Sequence, residues 1–187
     1  RFNATYLRAG PLYRWDPLLC KQTGGRPDDV NAATNAATYL RENINTITFD
    51  DPELRGHAIS QPSSQVAAMP EVRRALVELQ QQFANQSGGA VLDGRDIGTV
   101  IAPHAKIKLF ITASPEKRAE RRYKELVSKG SSDTSYEAVL KDLQARDARD
   151  ESRTTAPSKI AADATVLDTS DLNVDEAFDA ALKIVGQ

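Results

Sequence analysis

The sequence predicts an α/β protein, a mostly parallel sheet with helices covering its faces. Three observations carry that expectation. From Pro70 onward, short apolar runs alternate with segments of helical spacing, the order that builds parallel sheets. One such run, Ala90 to Leu92, ends abruptly in Asp93-Gly94-Arg95-Asp96. A buried strand delivers charged side chains to a sheet edge in this way, and ligands bind outside the carboxyl ends of strands in open α/β sheets. The chain has 187 residues, which suits one compact domain with room for a small inserted subdomain.

Taken in order, Ala4 to Leu7 is a short candidate strand, followed by Gly10-Pro11. Asp16 and Pro17 are expected to open a helix as N-cap and first-turn residue, because proline is costly deeper inside. Gln22 to Pro27 is a loop, and Asp28 or Asp29 caps a mediocre Ala- and Asn-rich helix through Leu40. Ile44 to Phe49 alternates like an edge strand closed by Asp50-Asp51-Pro52. Leu54 to Ile59 is ambiguous. Gln61 to Met69 holds a short helix that stops before Pro70, since the residue before proline disfavours the α region. Pro70 to Asn85 is a helix, with Val72, Leu76, Leu79 and Phe83 on one face. Gln86 to Gly89 ends it.

Lys106 to Thr112 is the next strand. Ser114 as N-cap and Pro115 at the first position start a helix that runs to about Lys129 and stops at Gly130. Ser131 to Ser135 is a loop, Tyr136 to about Asp147 a second helix, and Thr154 to Lys159 irregular. Ala164 to Asp168 is the last strand, and Asp175 to Val185 a terminal helix with Ala177, Phe178, Ala181, Leu182 and Val185 inward.

Composition narrows the function. The formal charge is −2, which offers no general attraction to nucleic acid or membrane, so an anion site must be a local cluster. Cys20 is the only cysteine; an internal disulfide and a four-cysteine zinc site are excluded. No apolar run approaches a membrane span and Arg1-Phe2-Asn3 opens no signal peptide, so a cytoplasmic protein is expected. His57 and His104 have no nucleophile or ligand cluster around them in sequence, and no metal ligands are assigned.

Two features carry chemistry. In Asp93-Gly94-Arg95-Asp96, Arg95 offers a planar fork for phosphate or carboxylate and Asp96 accepts from a base or sugar; the same residues also suit a turn closed by a surface Arg–Asp pair. Arg118, Arg121 and Arg122 share a helical face, as do Arg146, Arg149 and Arg153 if their helix reaches that far. Glu116, Glu120 and Glu125, and Asp147, Asp150 and Glu151, can balance them, so a salt-bridged solvent-facing hairpin competes with an anion site. The short connection between the helices favours a cationic flap over the sheet edge. Phosphoryl transfer needs such a flap, since its catalysis is mainly positioning and electrostatic stabilisation.

With these residues in view, the chain resembles the bacterial cytidylate kinases from about Asn3 to its end. The resemblance rests on Ser64-Gln65-Val66-Ala67-Ala68-Met69-Pro70-Glu71-Val72-Arg73, on Asp93 to Val100, on the Ser114-to-Arg122 helix start, and on Arg146-Asp147-Ala148-Arg149-Asp150 with Arg153. It implies a nucleoside monophosphate kinase fold in one domain, with a monophosphate-binding insert at about 28–63 and a lid at about 116–155. The implied reaction is ATP plus CMP or dCMP giving ADP plus CDP or dCDP, with Mg²⁺, in a monomer that binds neither nucleic acid nor membrane.

Carried over by position, Ser64, Arg73 and Asp96 read the cytosine edge, and Arg14 and Arg95 hold the CMP phosphate. Arg146 and Asp150 contact the sugar, Arg153 faces the phosphates so that Arg146 and Arg153 are the catalytic pair, and Arg118, Arg121 and Arg122 form the lid over ATP. Two departures stand out. No G-x-x-x-x-G-K-[ST] occurs in the chain, so the first strand and phosphate loop are expected to be missing from it. Arg8 and Ala9 stand where the family pattern has an acid and a hydroxyl, in a stretch where Pro11 and Trp15-Asp16-Pro17 are also unusual. The alternative function is a non-catalytic nucleotide-binding or interaction module derived from this fold.

Overall fold

The computed structural model describes residues 4–44, 46–49, 51–55, 58–130 and 134–186. Arg1-Phe2-Asn3, His57 and the loop residues Ser131-Ser132-Asp133 lie outside them. Among the described residues the order is β1 (Thr5–Arg8), α1 (Ala9–Gln22), α2 (Val30–Glu42), a 3-10 turn (Pro52–Arg55), α3 (Ser60–Val66) and α4 (Pro70–Ala84). Then follow β2 (Ala90–Asp93), a π-helical turn (Ile97–Ile101), β3 (Leu109–Thr112), α5 (Pro115–Ser128), α6 (Tyr136–Ser152), β4 (Thr165–Asp168) and α7 (Val174–Ile184).

The strands are parallel, as expected. β1 pairs with β2 from Thr5↔Ala90 to Arg8↔Asp93, and β3 with β4 from Leu109↔Thr165 to Thr112↔Asp168. They make two two-stranded sheets rather than one continuous sheet. Among the described residues each four-residue strand has one hydrogen-bonded neighbour.

The main core is helical. Leu12, Tyr13 and Cys20 of α1 meet Ala33, Ala36, Ala37 and Leu40 of α2, Val66 of α3, and Val72, Ala75 and Leu76 of α4. The α2 residues sit at i, i+3, i+4 and i+7, so small alanines form one face and let the neighbouring helices approach. The Asp29 side chain accepts from the Asn31 and Ala32 amides and fixes where α2 begins. Fully burying residues such as Leu12, Leu40 and Leu76 stabilises by roughly 2 kcal/mol each.

Three expectations need correction. Asp16 does not cap a helix at Pro17: α1 starts at Ala9 and carries Pro17 inside, with Leu12, Tyr13, Asp16, Pro17 and Cys20 buried at helical spacing. Burial of that face outweighs the local preference against proline. Ile44 to Phe49 is not a strand. Its described residues form turns, with the Thr46 amide bonded to Asn43 O, and Ile44, Ile47 and Phe49 pack onto the core from them. In α7, Phe178 is 61% exposed rather than inward. The helix has no buried residue, and its start is set by a capping box between Asn173 and Glu176.

Elsewhere the ends shift. Leu54 falls in the 3-10 turn, the third strand begins at Leu109 rather than Lys106, and α6 runs to Ser152 rather than Asp147. Ion pairs from Asp150 to Arg146 and Arg153 reinforce its last turn. Helices α5 and α6 form a hairpin with its own small core of Ala119, Leu126 and Val139.

Candidate active site

The site begins where β2 ends. A Cβ on Gly94 would lie 2.9 Å from both Ala9 Cβ and Ile97 Cδ1, so only glycine lets the strand end lie this close to the start of α1. Ala9 is the residue of α1 that it packs against. Arg8 sits opposite Asp93 in the register and meets it at 3.6 Å, both largely exposed.

Asp96 is held by its backbone. Its carbonyl accepts from the Val100 amide at 2.9 Å, the Ile101 amide at 3.3 Å and Thr99 Oγ1 at 3.3 Å across the π-helical turn. That fixes the carboxylate, which is buried and paired with Arg73 Nη2. Arg73 is also buried; its Nη1 donates to Ala67 O at 3.1 Å, and its guanidinium lies 5.7 Å over the Tyr13 ring. Burial pushes the Tyr13 phenol up, opposed by the Arg73 charge. Tyr13 is a site residue that sequence reasoning missed; the signal available was its place beside Arg14.

A second centre forms around Asp150, which is 1% exposed. Arg95 Nη1 is 3.2 Å from it, Arg146 Nε 3.8 Å, Arg153 pairs with it, and Ser64 Oγ donates to it at 3.4 Å. Ser64 is thus buried on Asp150, while Asp96 is the partner of Arg73. Arg146 Nη1 donates to Ser60 Oγ at 3.4 Å. Burial pushes Arg146 down to about 10, helped by the neighbouring Arg95 and Arg14 charges. Burial likewise lowers Arg153, with Arg73 adding to the effect.

Arg14 donates to Leu54 O at 2.8 Å, and its guanidinium is depressed first by burial and then by Arg122 and Arg8.

The three arginines of α5 diverge. Arg118 Nη1 meets Asp147 at 2.6 Å and its Nε bonds Ala113 O at 3.0 Å. Arg121 is tied to Thr169 and Leu172 beyond β4. Arg122 pairs with Glu125 on its own helix at 2.7 Å. Part of the salt-bridged hairpin is therefore present, with Lys124–Glu120 and Lys129–Glu125 on the outer face. Asp147 joins Arg118 to Arg95 at 3.1 Å, a contact that sequence reasoning read only as charge balance.

Arg14, Arg73, Arg95, Arg118, Arg146 and Arg153 thus gather around Asp96, Asp147 and Asp150. Cations outnumber carboxylates there two to one although the whole chain is acidic. Such a cluster can attract an anion, and the buried pair beside it offers one donor group, Arg73, and one acceptor group, Asp96. Among the described residues no group of three or more His, Cys, Asp or Glu is placed to hold a metal, and no helix is long and apolar enough to cross a membrane.

Comparison with known proteins identifies the family. The family model described as cytidylate kinase matches residues 1–187. A cytidylate kinase of Azorhizobium caulinodans is 51% identical over 180 residues, covering 96% of this chain and 84% of that protein. The cytidylate kinase of Methylocella silvestris is 48% identical over 184 residues, 98% of this chain and 83% of its own length. That of Xanthobacter autotrophicus is 47% identical over 184 residues, 98% and 86%. By sequence match along its whole length, this chain belongs to the cytidylate kinase family.

Proposed function

We propose that this site moves the terminal phosphoryl group of ATP onto the phosphate of CMP or dCMP, giving ADP and CDP or dCDP. The observation that carries the reading is the arginine excess around Asp150 set beside the buried Arg73–Asp96 pair. One phosphate oxygen of CMP attacks the terminal phosphorus of ATP, the bond to the bridging oxygen breaks, and ADP leaves with that electron pair. Spread negative charge in the transition state is what Arg146 and Arg153 would stabilise. Both are partly buried arginines among other cations, so an arriving phosphate relieves repulsion as well as forming bonds.

Arg95 and Arg14 would hold the acceptor phosphate, and Asp150 with Arg146 the sugar. Ser64, Arg73 and Asp96 would read the cytosine edge. Arg118, Arg121 and Arg122 would lie on the donor side, with residues 116–155 as the lid and 28–63 as the monophosphate insert. ATP is expected to arrive with Mg²⁺ on its phosphates. The described residues offer that ion no cluster of their own, and no step is assigned to a protein-held metal. The non-catalytic alternative is not favoured, because the match runs the length of the chain and the relatives carry a kinase name.

The test is ADP formation with CMP, dCMP and UMP in turn. Uracil lacks the exocyclic amine, so buried acceptors at Asp96 would go unpaired; UMP should be used worse by about 10- to 1000-fold. Equal use of CMP and UMP would sink the base-reading role, and CMP binding without ADP formation would restore the non-catalytic alternative.

A further inference from the structure

Asp147 occupies an unusual position between the two groups of arginines. Its Oδ1 lies 3.1 Å from Arg95 Nη1 and its Oδ2 2.6 Å from Arg118 Nη1. Arg95 follows β2 and Arg118 lies on α5, and their only common carboxylate among the described residues is this one. Arg118 is itself anchored to the end of β3 through Ala113 O. Arg95 spends a single nitrogen on Asp147 and Asp150, at 3.1 and 3.2 Å. Its remaining nitrogens have no partner among the described residues and are free to fork onto a phosphate.

We propose that Asp147 is a positioning residue that couples the acceptor subsite to the lid helix, which rests on the reading of Arg95 and Arg118 given above. With Arg118 in place, the Asp147 charge is largely neutralised and Arg95 is held loosely, ready for the CMP phosphate. When the Arg118 side chain leaves Asp147, the whole Asp147 charge falls on Arg95 and beside the phosphate position, and CMP is held less tightly. By linkage the effect runs both ways: a phosphate on Arg95 competes with Asp147 for that guanidinium and leaves the carboxylate to Arg118, strengthening their contact.

A plain brace between the two hairpin helices would use the same Arg118–Asp147 contact, so the test must separate the two. The dissociation constants of CMP and of cytidine are measured for the parent chain, Arg118→Gln, Asp147→Asn and the double variant. Arg118→Gln should weaken CMP about three- to tenfold, the size expected for charges in one network, and leave cytidine unchanged. In the Asp147→Asn background the same Arg118 change should have no effect on CMP. Asp147→Asn alone should tighten CMP, because it removes an anion beside the phosphate, and Arg118→Lys should restore the parent value.

A lowered thermal midpoint in Arg118→Gln with unchanged CMP binding would make the contact a brace and overturn the coupling. So would an equal CMP shift in both backgrounds, or a weaker CMP complex in Asp147→Asn. If Arg118→Gln does not fold, Arg118→Met, which keeps the aliphatic stem without the charge, takes its place in the same cycle with the same expected outcomes. A parent chain that binds neither CMP nor cytidine would instead refute the functional reading itself, and the coupling with it.

Discussion

At the scale of single residues, the site contains a pair of buried charges whose cost of burial is met by each other. Arg73 and Asp96 are 2% and 4% exposed and face each other. Removing one member of such a pair leaves the other charge stranded, typically at about 3 to 5 kcal/mol, whereas replacing both with apolar groups is often close to neutral. Arg73→Met should therefore lower unfolding free energy in denaturant titration by about that amount, and Arg73→Met with Asp96→Leu should regain most of it. Neither variant should discriminate CMP from UMP. A double variant as unstable as the single one would mean that the pair is not the source of the cost.

Asp16 poses the opposite case. It is fully buried on α1, neither carboxylate oxygen has a hydrogen-bond partner among the described residues, and burial pushes it up from 3.8 to about 7. Between those values the folded chain keeps a proton that the unfolded chain has released, so stability falls as pH rises, by at most about 1.4 kcal/mol per unit. Asp16→Asn removes this dependence. Its stability relative to the parent should climb from pH 4 to about pH 7 and then level off, as read by denaturant unfolding at matched pH values. A constant difference across that range would show that Asp16 is not protonated in the folded chain.

At the scale of elements, the sequence was most informative where one physical rule dominated. Pro70 and the Val72–Leu76 spacing mark α4 to within a residue, and Ser114-Pro115 marks the start of α5, because capping and first-turn proline are local effects. The Asp93-Gly94-Arg95-Asp96 edge was legible for a similarly local reason: an apolar run that gives way to glycine and charge marks the end of a buried strand. What local rules could not supply was tertiary. The alternation at Ile44 to Phe49 satisfies a strand pattern, yet a strand needs a hydrogen-bonded neighbour and that segment packs on helices instead. Pro17 reads as a helix start, but the buried face of α1 carries the helix through it. The two arginine faces were legible as faces. That Arg121 turns to Thr169 while Arg118 turns to Asp147 depends on where β4 and α6 lie, which spacing does not encode.

At the scale of the whole molecule, the two cores are unequal, and this bears on how the site works. The α1–α4 core contains twelve buried residues, whereas the α5–α6 hairpin is organised on three. Polar ties connect the hairpin to the rest, through Arg146 to Ser60, Ser64 to Asp150, and Arg121 to the segment after β4. Apolar burial sets the free energy of local opening more than partly exposed ion pairs do. The hairpin should therefore open without the helical core. Hydrogen exchange should find amides of Ala119 to Leu126 and Val139 to Leu143 exchanging at least about 100-fold faster than those of Val72 to Leu79, a gap of a few kcal/mol in opening free energy. Leu126→Ala should speed exchange in the hairpin further and leave α4 unchanged. Because Arg95, Arg146 and Arg153 link the hairpin to the proposed acceptor site, added CMP should slow the hairpin amides selectively. Uniform exchange across both cores, or equal protection of both by CMP, would mean that the molecule opens as one unit and that the hairpin is no separate lid.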